Sequence, residues 1–133
     1  MDNSNDTSNS HFWRFRKVGK TFQVQLESPE DLKHLRSLDP KLWVALSCPV
    51  DGLEVDRQTL TLIDNNLDGR VRIEEILAAI DWTLHRLSDP ASLFEGGDLP
   101  LAAIQSGNPE GKAILTSAQQ ILDNINRSDS STI

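Results

Sequence analysis

The chain has a single cysteine, Cys48. No disulfide can close within it, and a cysteine-built zinc site is excluded. Cys48 reads as a small apolar residue rather than a nucleophile. Positive charge is also scarce: 13 Lys plus Arg stand against 20 Asp plus Glu, a formal net charge of -7. Non-specific nucleic-acid binding needs dense cationic charge, so no nucleic-acid partner is expected. Long apolar runs are missing too. Nothing approaches the roughly 18 residues of a membrane-spanning helix, and no membrane partner is expected. Residues 1–10 are rich in Asn, Ser and Asp, without the basic and then apolar order of a signal peptide. A cytoplasmic location is the default expectation.

What is present suffices for a packed core: 38% of the 133 residues are hydrophobic and 25% charged. The expected organisation is a disordered tail at 1–10, a single domain over 11–126, and a Ser/Asp/Thr-rich tail or linker at 127–133. Charge is uneven. Residues 11–41 carry seven basic and four acidic side chains, whereas 54–81 carry three basic and seven acidic.

The alternation of Phe22, Val24 and Leu26 with Gln23 and Gln25 predicts a β-hairpin over 11–26, with Trp13 and Phe15 on the first strand. Arg14, Arg16, Lys17 and Lys20 then form either a basic contact surface for an acidic partner or a solvated, edge-protecting strand. Two short helices are expected over 28–47. Ser28 caps the first, and Pro29 suits its opening position. Pro40 opens the second, which Cys48-Pro49 should stop. His11, His34 and His85 are far apart and share no metal spacing. No nucleophile–base pair and no phosphate loop is visible, so the chain is not expected to be an enzyme.

The acidic segment holds the one strong motif, the loop 64–75, DNNLDGRVRIEE. Asp64, Asn66 and Asp68 alternate, so their oxygens can face one centre of a curling chain. Gly69 stands where the backbone must bend sharply. Val71 is an aliphatic residue fit for a short buried strand, and Glu75 offers a long carboxylate that can reach back. A chance match to this pattern in a chain of this length is on the order of one in 10⁴. The flanks are helical. Asp56 can cap a helix through Ile63, with Val55 and Leu60 as a hydrophobic staple. Ile73, Leu77, Ile80 and Leu84 form a stripe on a following helix that should end near Ser88.

The segment 55–87 therefore resembles an EF-hand, about a quarter of the chain. The resemblance implies Ca²⁺ held by Asp64, Asn66, Asp68, the backbone carbonyl of Arg70, and Glu75 through both oxygens. It also implies a departure. Arg72 stands at position 9, where many members carry an oxygen side chain, and arginine accepts no hydrogen bond. Arg70 and Arg72 both offset the loop's negative charge, so an affinity on the order of 10⁻⁶ to 10⁻³ M is expected. Two alternatives compete: a loop that keeps the fold without binding metal, and a dockerin-like module. The second needs a tandem loop, and the sequence has none.

EF-hands usually pair through their short strands. Residues 89–126 offer a degenerate second hand without calcium ligands, with 101–104 as its strand and a final helix opened by Asn108-Pro109. The rival is Val71 pairing with Val71 of a second copy. The expected fold class is thus mainly α, an EF-hand-like helix-loop-helix paired with this degenerate hand and preceded by two short helices and the hairpin. Met1 is the lone methionine, which argues against a Met-rich groove that opens on calcium. The expected function is calcium binding in a structural or weakly regulatory domain. The alternative is a protein-interaction module, through Trp13, Trp43 or Trp82, in which the site is structural or unoccupied. Beyond the ion, the partner classes are another protein or the remainder of a longer chain.

Overall fold

The computed structural model describes residues 11–43 and 45–133. The polar tail expected at 1–10 lies outside the described residues. Contacts divide the chain into two units, Met1–Val44 and Ala45–Ile133. The division falls within the single domain read from the sequence, inside its second helix.

In the first unit the alternating pattern forms the hairpin. Strand β1 (Arg14–Val18) pairs antiparallel with β2 (Thr21–Gln25), from Arg14↔Gln25 to Val18↔Thr21. Every residue of β1 is exposed. Helix α1 (Pro29–His34) opens on a capping box: the Asp31 amide donates to Ser28 Oγ and the Ser28 amide to Asp31 Oδ2. Leu35 and Leu38 are buried behind it.

The second helix expected over 40–47 does not form. A 3₁₀ turn at Pro40–Leu42 is all that remains, and Ser47–Pro49 is instead strand β3. Pro49 biases Cys48 toward extended backbone, and a partner strand supplies the hydrogen bonds that a helix would have supplied.

That partner comes from the second unit's central motif. Helix α2 (Arg57–Ile63) is capped by Asp56, whose Oδ2 accepts from the Thr59 amide at 3.0 Å. After a loop come strand β4 (Arg70–Arg72) and helix α3 (Ile73–Arg86). Strands β3 and β4 are antiparallel, with Cys48 opposite Val71. Val50, Leu60 and Val71 form a buried cluster against which Cys48, Ile63 and Ile76 pack.

The mainly α expectation is overturned. The described residues are 47% helical and 16% strand, with four α-helices and two small antiparallel sheets, a mixed α and β fold. The pairing of 101–104 with Val71 is overturned with it: Val71 lies opposite Cys48 of the same chain. Leu101–Ala103 is a 3₁₀ turn instead. Its neighbourhood is bonded to the end of α3, with the Ser88 amide donating to the Ala103 carbonyl at 2.7 Å and the Gln105 amide to the Arg86 carbonyl at 2.8 Å.

Helix α4 (Pro109–Asn124) starts where Asn108-Pro109 predicts, with Asn108 Oδ1 accepting from the Gly111 amide at 2.7 Å. Gly111 is obligatory by contact: a Cβ there would meet the Gln105 backbone, 2.8 Å from its carbonyl carbon. Residues 127–133, read as a tail or linker, are tied down. Leu99 and Ile133 exchange amide-to-carbonyl bonds of 2.7 and 2.9 Å, and the Leu101 amide donates to the Ser131 carbonyl. Backbone pairing of this kind does not depend on side-chain hydrophobicity, so a polar sequence conceals it. Among the described residues no helix is long and apolar enough to cross a membrane.

Candidate metal centre

Asp64 ends α2, its amide donating to the Leu60 carbonyl at 3.0 Å. The chain then curls so that its own amides point back at this carboxylate. The Gly69 amide donates to Asp64 Oδ2 at 2.8 Å and the Asp68 amide to Oδ1 at 3.3 Å. The bend needs left-handed backbone at Leu67 (φ +55°) and Gly69 (φ +81°). Glycine takes that conformation freely, and leucine rarely. The Val50 amide donates to the Gly69 carbonyl at 3.1 Å, fastening the bend to the residue that follows β3.

Glu75 lies in the first turn of α3, where a carboxylate is favoured by the helix dipole. One oxygen from each of Asp64, Asp68 and Glu75 lies within 4.8 Å of the others. Asp64 and Glu75 are buried, 4% and 9% exposed. Glu75 Oε2 is buried and, among the described residues, has no hydrogen-bond partner. A buried carboxylate oxygen left unpaired costs at least about 1–3 kcal/mol. An ion held among the three carboxylates would remove that cost, so the residues fit a cation. No family model, characterised protein or solved structure matches this chain. The chemistry of the site therefore rests on the loop itself.

The other residues named from the sequence are placed differently. Asn66 lies in the loop with its Oδ1 accepting from the Asp68 amide at 3.4 Å. The Arg70 side chain turns outward, Nε and Nη2 donating to Ser47 Oγ at 3.1 and 2.9 Å. Asp68 is engaged on both oxygens: Oδ1 accepts from the Arg70 amide at 3.0 Å, and Oδ2 is paired with the Arg72 guanidinium. The hydrogen bond from Arg72, and then that from the Arg70 amide, hold the Asp68 carboxyl below its ordinary pKa.

Two arrangements escape a reading by spacing. In the first unit, His11 and His34 stack with ring centroids 4.5 Å apart and planes 7° from parallel, and His11 Nε2 lies 2.6 Å from Asp31 Oδ1. Stacked rings do not aim their nitrogens at one point, so this pair is no chelate. The hairpin creates it, and the capping-box Asp31 was the one visible hint. In the second unit, α2 and α3 flank a groove of about 620 Å³ lined by Leu62, Ile63, Ala78, Ala79 and Trp82, with Glu75 among its walls. Leu62 and Trp82 are 76% and 53% exposed. Arg86 lies over the Trp82 ring at 4.1 Å, a one-turn spacing on α3.

Proposed function

We propose that this chain binds one calcium ion through the loop 64–75, as an EF-hand-like module of structural or weakly regulatory role. The observation that carries the reading is Glu75 Oε2, buried and unpartnered beside two other carboxylates. Asp64, Asn66, Asp68, the Arg70 carbonyl and Glu75 would hold the ion. All are oxygen donors, the set that suits a hard cation and not one selected by sulfur or imidazole. A carboxylate able to bind through both oxygens favours Ca²⁺ over the smaller, strictly octahedral Mg²⁺.

Without the ion, three like charges crowd one bend. Binding relieves that repulsion. It also ties Asp64, the residue that caps the end of α2, to Glu75 in the first turn of α3. The stabilisation is roughly 2.7 kcal/mol when free calcium is 100 times the dissociation constant. Thermal melting tests this: calcium in excess over chelator should raise the midpoint by about 10 °C. An unchanged midpoint at millimolar calcium contradicts it.

A second reading is favoured by the groove between α2 and α3. Here the chain is a protein-interaction module whose ion is only structural. Leu62 and Trp82 stand exposed along it. Apolar side chains left exposed along a groove are a surface that a partner could cover.

A further inference from the structure

We infer that Arg72 is a tethered competitor for the loop's cation, its guanidinium occupying Asp68 until a divalent ion displaces it. The inference rests on the calcium reading above and adds a residue that sets affinity. Of the three converging carboxylates, Glu75 presents an oxygen with no partner, whereas both oxygens of Asp68 are taken. An arriving cation thus finds one ligand open and another already neutralised.

The geometry makes Arg72 a persistent competitor. Its backbone is fixed in β4 opposite Ser47, four residues from Asp68. A short tether keeps the local concentration of guanidinium high. The pair is half in water, with side chains 46% and 33% exposed. Ion pairs in such surroundings are weak enough to be broken by a doubly charged rival. Arg70 carries the same charge two residues earlier but gives its guanidinium to Ser47 Oγ. The two arginines therefore differ in role: one blocks a ligand, and the other only adds positive charge nearby. After displacement Arg72 remains close to the ion and continues to oppose it.

Calorimetric titration with CaCl₂ of the metal-stripped full chain and four variants tests this. Arg72→Gln should tighten calcium binding about tenfold. Arg72→Met, neutral and of similar length, should match it, which guards against one variant misfolding. Arg72→Lys should stay within about threefold of the parent because the charge remains. Arg70→Gln should tighten binding less than Arg72→Gln does. With the internal cation removed, the affinity of Arg72→Gln should also fall more steeply with added KCl. Equal tightening by Arg70→Gln and Arg72→Gln would overturn the inference in favour of a diffuse charge effect. So would unchanged or weaker binding by both neutral Arg72 variants in a parent that binds calcium. If neither the parent nor any variant takes up calcium, the reading of the site fails first and this inference falls with it.

Discussion

Val71 lies opposite Cys48 in a two-stranded antiparallel ladder, and at 2% exposure it is the most enclosed large side chain among the described residues. The strand that leaves the acidic loop is thus held by the segment 47–49, which precedes α2. Shortening this anchor should loosen core and loop together. Val71→Ala should cost about 2 kcal/mol by denaturant unfolding in chelator. It should also weaken calcium binding, because an ion that binds only the formed loop must then drive its formation.

Glu75 and Glu74 are adjacent acids in the first turn of α3, and only Glu75 is buried in the carboxylate cluster. Glu75→Gln should abolish the calcium-induced rise in melting temperature. In chelator it should melt no lower than the parent, because one of three crowded charges is gone. Glu74→Gln should retain most of the rise. Equal loss in both contradicts the register assigned to the loop.

Asp31 provides a pH signature in the first unit. Burial pushes its pKa up, but hydrogen bonds from the Glu27 amide, His11 and Ser28 outweigh burial, and the net shift is downward from 3.8. A carboxyl whose folded pKa is depressed stabilises the fold at pH values above its unfolded pKa. That contribution is lost as pH falls below about 4 through the lower folded value. Amide signals of 27–31 should therefore report loosening only in this acidic range. Asp31→Asn should lower stability at neutral pH and flatten the acid slope.

Gly111 sits in the first turn of α4 against the Gln105 backbone. Gly111→Ala would ordinarily favour a helix. Here the backbone contact should dominate, at a cost of about 2 kcal/mol measured by denaturant unfolding. A stabilised variant would place α4 away from Gln105.

Local chemistry was legible, and long-range pairing was not. Caps at Ser28, Asp56 and Asn108 write helix starts into short stretches of sequence, and α1, α2 and α4 begin beside them. The loop's acids could be ordered because their oxygens must converge within twelve residues. The partner of Val71 could not be found this way. Cys48-Pro49 reads equally as the end of a helix or the edge of a strand, and β4 on the far side of α2 decides between them. The same blindness covers Ile133 returning to Leu99, because amides and carbonyls carry no sequence label. It hid the stack of His11 on His34, which the hairpin alone creates. Arg72 was visible as an offsetting charge. Only the fold shows that the charge sits on Asp68 itself.

The most direct measurement is isothermal titration of the metal-stripped chain and its Glu75→Gln variant with Ca²⁺, followed by Mg²⁺. The account predicts one calcium per parent chain at a dissociation constant on the order of 10⁻⁶ to 10⁻³ M, weaker uptake of Mg²⁺, and none of either by Glu75→Gln. No heat of binding by the parent at millimolar calcium, or equal binding by the variant, would contradict it.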